Sequence, residues 1–439
     1  MATIAENKIK KVYSINFGCR LNQYESISIE TSLQKSDWEV SENIDDADYI
    51  IINTCTVTNR ADIKNRQAIR KAKRENPNAQ IIVTGCYATT DGKKLQSMEE
   101  VSQIVGNNQK SFIPSILNNK NISNFSDSIS EQSIFEYQSP PIIKNARSYL
   151  KIQDGCDKKC SYCKIPVARG KGISRNYQTI ESEVKSLLET GYQEIILTGV
   201  NIGHYKNNNG ANFNDLLQNL NNVPGNFYYR ISSLEPDHLN EDLINILNNE
   251  KFARFLHLPI QSGSDKILKL MKRPYTATFL KKSLDMIKNK APFIHIGTDV
   301  IVGFPGETEE DFQETIKMVE YAGYANIHIF PFSRRSGTSI DEQLNDPLSN
   351  IKPVNGSIIR ERINRLTEIK NKLYINYLKN SAGITFKAII ESVDFKNATI
   401  VTENFMKLSL PVQKNFKKGM MINVQYDEAL NCSFIDHRD

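Results

Sequence analysis

Three cysteines at C-x3-C-x2-C spacing, Cys156, Cys160 and Cys163 in Gln153-Asp-Gly-Cys-Asp-Lys-Lys-Cys-Ser-Tyr-Cys163, constrain this chain more than any other feature. Three thiolates on one short loop hold three corners of a [4Fe–4S] cubane and leave the fourth iron without a protein ligand. Such an open iron binds the amino and carboxylate groups of S-adenosylmethionine and passes one electron to its sulfonium. Structural zinc takes four ligands, typically as C-x2-C…C-x2-C. No fourth Cys or His stands near this triplet.

Three further cysteines each follow an apolar, β-rich run: Cys19 after Ile15-Asn-Phe-Gly, Cys55 after Ile51-Ile-Asn-Thr, and Cys86 after Ile82-Val-Thr-Gly. Val12–Asn16, Tyr49–Asn53 and Ile81–Thr84 read as buried parallel strands. Helical stretches lie between them, among them Ala61–Glu75, which stops before Asn76-Pro77. The pattern predicts a doubly wound α/β domain over 1–118, in which strand carboxyl ends converge on one crevice. Cys19, Cys55 and Cys86 are therefore expected to meet there and hold a second cluster; the bland alternative is three buried free cysteines. Cys432 reads as a small core residue.

Residues 119–145, rich in Asn, Ser and Gln and closing on Ser139-Pro140-Pro141, read as a linker. A second β/α series occupies 146–380, with strands at Tyr149–Gln153, Glu194–Thr198, Tyr228–Ser232, Phe255–Leu258, His295–Val302 and Asn326–Phe330. Six units fit an open partial (β/α)6 barrel better than a closed eightfold one. The amphipathic stretch Ser357–Lys379 closes it. From 381 to 439 the pattern turns to period two, predicting a small antiparallel β-barrel. A chain of 439 residues, 39% hydrophobic and 24% charged, suits such a multidomain soluble protein. Met1–Lys11 has no apolar leader and no stretch is long and apolar enough to span a membrane, so the expected compartment is the reducing cytoplasm.

Strand ends facing the triplet are the expected S-adenosylmethionine contacts: Gly199 and Asn201 after the second strand, Glu235 after the third, Gln261 after the fourth, Gly303 and Glu307 after the fifth, and Phe332 after the sixth. His204 and His257 are expected near the mouth, and His238, His295 and His328 in satisfied polar or core roles. The net charge of +5 permits a nucleic-acid partner without demanding one. Arg66, Arg70, Lys73 and Arg74 recur at helical spacing as a candidate RNA-binding face. Lys414, Lys417 and Lys418 are a second basic patch, in the tail.

The triplet, with Gly18-Cys19, Asn53-Thr-Cys55 and Gly85-Cys86, resembles the radical-SAM methylthiotransferases. Further matches are Thr198-Gly-Val-Asn201, Arg230-Ile-Ser-Ser-Leu-Glu235, His257-Leu-Pro-Ile-Gln-Ser-Gly-Ser264 and Gly303-Phe-Pro-Gly-Glu-Thr308. Lys151-Ile-Gln-Asp-Gly-Cys156 and Ile165-Pro-Val-Ala-Arg-Gly170 look most like its MtaB branch. Relatives often read Pro-Gly-Thr-Pro where this chain has Ser336-Gly-Thr-Ser339. The resemblance implies a methylthiotransferase domain, a radical-SAM partial barrel and a TRAM β-barrel. It also implies two [4Fe–4S] clusters, two S-adenosylmethionine per turnover, and methylthiolation of C2 of N6-threonylcarbamoyladenosine at position 37, in a tRNA anticodon loop. An electron donor such as a flavodoxin and a sulfur donor are implied partners.

Rival readings within the family are isopentenyladenosine in tRNA or a ribosomal-protein aspartate as substrate. A rival of another class is a non-catalytic, metal-stabilised RNA-binding protein. A conventional methyltransferase would want a Gly-rich nucleotide loop, and no G-x-G-x-x-G occurs.

Overall fold

The computed structural model describes residues 9–119, 134–136, 145–324 and 326–435. Most of the predicted 119–145 linker, including Ser139-Pro140-Pro141, lies outside the described residues. The chain divides into two compact units. The first takes its residues from 1–142, 154–158 and 163–175, and the second from 143–153, 159–162 and 176–439.

The first unit is a five-stranded parallel sheet of β1 (Lys11–Asn16), β2 (Glu39–Val40), β3 (Tyr49–Thr54), β4 (Gln80–Gly85) and β5 (Gln103–Val105), in the order β2-β1-β3-β4-β5. This is a doubly wound order, with its switch point between β1 and β3. Side-chain alternation divides the central strands between two layers: Ile50, Ile52, Ile81 and Val83 pack with Ile69 and Tyr87, while Ile51 and Ile82 pack with Ile29, Leu33 and Trp38. Burial on both faces is why β3 and β4 read as near-continuous apolar runs. Three helices matter to the site: α1 (Arg20–Gln34), α2 (Asn59–Glu75) and α3 (Cys86–Thr90). The Thr58 hydroxyl caps α2 by accepting from the Ala61 N–H.

The second unit carries the six expected parallel strands: Ser148–Lys151, Glu194–Thr198, Tyr228–Ile231, Phe255–His257, His295–Val302 and Asn326–Pro331. They form two three-stranded sheets rather than one unbroken ladder, and between the third and fourth strands pairing shrinks to a bridge from Tyr229 to Phe252. Ile195, Leu197, Tyr229, Ile231, Leu256, Val300 and Ile327 belong to the core shared with the helices. Alternation turns Glu194, Arg230, Phe255, His257, His295, Asp299 and His328 to the opposite, inner face. The helix Gly356–Ser381 follows, and then five antiparallel strands ordered 407–411, 397–402, 386–393, 421–426, 432–435. Ala388, Ile390, Ile400, Leu408, Leu410, Ile422 and Val424 fill the interior of this nearly closed barrel, with Cys432 packed at its margin. Arg230 ties it to the half-barrel: its side chain is fully buried, pairs with Glu194 at 2.7 Å and donates to the carbonyls of Glu403 and Thr402.

Candidate active site

Cys19 stands immediately before α1, Cys55 immediately after β3, and Cys86 opens α3 directly after β4. Two glycines let these turns close on one another. Gly18 has φ +106°, and a Cβ there would press on the Cβ and Sγ of Cys55. Gly85 has φ +96°, and a Cβ there would collide with the Thr54 carbonyl. Burial pushes the Cys55 thiol up to about 11; the Val57 N–H pulls it down, and Cys86 and Cys19 push it up again. Three thiols turned toward one another lose their protons together only to a cationic group between them. Among the described residues the three sulfurs do not all lie within 4.8 Å of one another, the spacing of a single ion. The donor set fits a thiolate-bound cluster.

Cys156 and Cys163 belong to the first unit, Cys160 to the second. The Cys156 N–H donates to the Gly170 carbonyl at 3.0 Å. Cys163 Sγ accepts from the Ile165 N–H at 3.5 Å. Beside Cys160, Ser161 is pinned by its N–H to the Met271 carbonyl and its hydroxyl to the Leu270 carbonyl, and its own carbonyl accepts from Ile340. Arg273, which the sequence reading missed, donates to Cys160 Sγ at 3.4 Å and pairs with Glu235. No local signal marks it, because its partners lie far away in the chain.

Around the strand ends, Gln153 Oε1 accepts from the N–H groups of Val200 and Asn201, holding the turn that contains Gly199. A Cβ on Gly199 would press on Gln153 and Ile202. Gln261 has φ +66°, costly for a non-glycine residue. Its backbone is held by Asp299 and Ile301 through its N–H and C=O respectively.

Glu307 departs from the expectation of a ligand contact. Its side chain is 1% exposed and is taken up by Arg362 at 2.7 Å and the Gly303 N–H at 2.8 Å. A carboxylate buried that deeply needs its partners inside the protein, so Glu307 shapes the Gly303 loop. Phe332 stacks edge-on against Phe304, which meets Tyr162 in the same way, so these rings back the cysteine loop.

Asp299 was also missed, although a charged residue within the apolar run His295–Val302 was a legible sign. Its carboxylate bonds His257 at 3.0 Å and His328 at 3.1 Å. Burial opposes its ionisation, yet these bonds hold it well below the usual carboxylate range. The side chain of His328 is half exposed and takes, of the polar or core roles expected, the polar one, bonded to Asp299. His204 meets His238 edge-on and lies 3.2 Å from the Asn201 amide.

The basic face of α2 is partly committed. Arg66 donates to the Tyr87 hydroxyl, Arg70 pairs with Glu100, and Lys73 donates to the Ala79 carbonyl, whereas Arg74 is exposed. Arg60, Lys64 and Lys71 on the same helix are also exposed, as are Lys414, Lys417 and Lys418. No helix among the described residues is long and apolar enough to cross a membrane.

The chain matches two family models: the uncharacterised protein family UPF0004 over residues 11–106 and the radical SAM superfamily over 150–319. It is 35% identical over 406 residues to a threonylcarbamoyladenosine tRNA methylthiotransferase MtaB of Aquifex aeolicus, covering 91% of this chain and 96% of that protein. The Bacillus subtilis MtaB is 34% identical, with coverage of 93% and 90%. A tRNA-2-methylthio-N(6)-dimethylallyladenosine synthase of Fusobacterium nucleatum is 33% identical, with coverage of 96% and 98%. Among solved structures, the radical S-adenosylmethionine methyltransferase TsrM of Kitasatospora setae shares the fold at a TM-score of 0.56 and 14% identity, covering 74% of this chain and 75% of that one.

Proposed function

Since the chain belongs to the MtaB family of radical-SAM tRNA methylthiotransferases, we propose that it places a methylthio group on C2 of N6-threonylcarbamoyladenosine at position 37 of a tRNA anticodon loop. The observation that carries the substrate is the 35% identity, over 91% of the chain, to a relative named for that nucleoside.

As an enzyme of this family it uses iron–sulfur clusters and S-adenosylmethionine. In our reading Cys156, Cys160 and Cys163 hold one [4Fe–4S] cluster and Cys19, Cys55 and Cys86 the other. When bound, these groups supply the one-electron chemistry and the sulfur that an adenine C–H bond requires and that acid–base side chains cannot provide. The chain's own residues hold and orient. Arg273 fixes the Cys160 thiolate and the Glu235 carboxylate; Gln153 holds the turn at Gly199 and Asn201; Glu307 and Arg362 set the Gly303 loop. Gln261 and Asp299 would supply polar groups to S-adenosylmethionine, two of which would be consumed per turnover. The exposed basic residues of α2, with Lys414, Lys417 and Lys418, meet RNA phosphates, and the target base leaves its stack to reach the site. A flavodoxin-like electron donor, a separate sulfur donor and a cytoplasmic location complete the reading.

The test is anaerobic assay of reconstituted protein on tRNA carrying either the threonylcarbamoyl or the isopentenyl group, read by mass spectrometry of nucleosides. The expected product is 2-methylthio-N6-threonylcarbamoyladenosine. Turnover only on isopentenyl tRNA would transfer the protein to the other substrate class, and no S-adenosylmethionine cleavage would sink the enzyme reading for these residues.

A further inference from the structure

The first unit contains a buried network of charges that the proposed chemistry does not use. Glu25 is 1% exposed and accepts from Lys110 at 2.5 Å and from both terminal nitrogens of Arg169, at 3.0 and 3.1 Å. Arg169 also donates to both oxygens of Asp154, at 3.0 and 2.9 Å, and to Asn22 Oδ1 at 2.6 Å. Lys110 reaches Asn53 Oδ1 at 3.1 Å. Arg169 and Lys110 set positive charge directly against the carboxylates of Glu25 and Asp154, which makes so dry a site tolerable. Fork-to-carboxylate pairing fixes orientation as well as charge.

The members are placed beside cysteines. Asn22 and Glu25 lie in the opening turns of α1, just after Cys19. Asn53 stands two residues before Cys55, and the Asn22 amide donates to the Thr54 carbonyl next to it. Asp154 stands two residues before Cys156, whose own N–H is bonded to Gly170, the neighbour of Arg169. Asn107 bonds the Ala168 carbonyl at 2.7 Å and approaches Cys86 Sγ at 3.6 Å.

We infer that Arg169, Glu25, Lys110, Asp154 and Asn22 form a clamp that fixes the Cys156 segment in register with the strand ends bearing Cys19, Cys55 and Cys86, and so sets the separation over which sulfur is transferred. These are positioning residues: none of them touches substrate. The inference rests on the proposed role of both cysteine sets, because sulfur transfer needs the radical source and the sulfur carrier at one fixed distance. Arg169 also brings a positive charge to Cys55 and Cys86, and Lys110 brings one to Cys86.

The experiment compares Arg169→Gln, Arg169→Lys and the paired Glu25→Gln/Lys110→Met change in the full chain. The first readout is hydrogen exchange in cluster-free protein. The clamp predicts exchange about tenfold or more faster across 154–171 in Arg169→Gln, with β3 and β4 unchanged. The second is the ratio of 5′-deoxyadenosine to methylthio product after reconstitution. It rises about tenfold or more in Arg169→Gln while 5′-deoxyadenosine still forms, and Arg169→Lys lies between that variant and the parent. Exchange raised equally throughout the unit would make the network ordinary core and overturn the proposal, as would an unchanged product ratio. Failure of the cysteine reading is separately visible: the parent would then bind about four irons rather than about eight. Should Arg169→Gln not fold, the paired variant, which keeps the arginine and removes a charge of each sign, gives the same two readouts.

Discussion

The guanidinium of Arg273 lies 3.4 Å from Cys160 Sγ and pairs on its other side with the Glu235 carboxylate. One cation thus serves a proposed cluster ligand and a strand-end acid together. A charge-assisted hydrogen bond contributes about 1.5–3 kcal/mol. Arg273→Gln should therefore lower 5′-deoxyadenosine formation roughly 10- to 100-fold, and Arg273→Lys less, at unchanged far-ultraviolet circular dichroism. Equal rates in all three proteins would remove Arg273 from the site.

Replacing Cys86 with Ala should separate the two cysteine sets. Iron content is expected to fall from about eight to about four per chain. S-adenosylmethionine cleavage should persist and the methylthio product disappear. Loss of both activities together would mean that Cys86 supports the fold rather than a second cluster.

Gly155 has φ +70°, and a Cβ there would collide with the Lys171 carbonyl. Backbone cannot yield as a side-chain tip does, so Gly155→Ala should destabilise the first unit by about 2 kcal/mol or more. Thermal melting of cluster-free protein measures this; an unchanged transition would show that the loop gives way freely.

Arg230 and Glu194 are both fully buried and 2.7 Å apart. Removing one partner strands the other charge, a cost of about 3–5 kcal/mol. Arg230→Met should accordingly lower the melting temperature of the second unit far more than Arg230→Met/Glu194→Leu does. If the double variant is as unstable as the single, the contacts of Arg230 with the Glu403 and Thr402 carbonyls matter more than the ion pair.

Burial lowers the pKa of His295 from 6.5 to about 3, and its ring stacks on Tyr377 at 3.8 Å. The folded chain keeps this imidazole neutral, while the unfolded chain takes up a proton below pH 6.5. Its contribution is complete above 6.5 and drains away as the pH falls toward 3, by up to about 1.4 kcal/mol per pH unit. His295→Phe should flatten the decline of denaturation midpoint between pH 6 and 4. A parallel decline in both proteins would show that other groups govern it.

Much of the architecture was legible because its causes are local. Strand runs such as Glu194–Thr198 and His295–Val302, and the helical stretch Ser357–Lys379, carry their periodicity within themselves and stand where that periodicity places them. The short strands Glu39–Val40 and Gln103–Val105 escaped notice: two or three residues carry no period, and only neighbouring strands hold them in the sheet. The cysteines were legible by chemistry, since few residue types bind iron and their spacing is covalent.

What the sequence by itself determined was therefore the order of strands and helices, the six cysteines at their ends, and the family they announce. Which charges meet was decided by the tertiary structure alone. Arg169 finds Glu25 across 144 positions and Arg273 finds Cys160 across 113. A salt bridge depends on where two side chains arrive after the chain has folded, and burial, which makes such a pairing obligatory, is a property of the packed core.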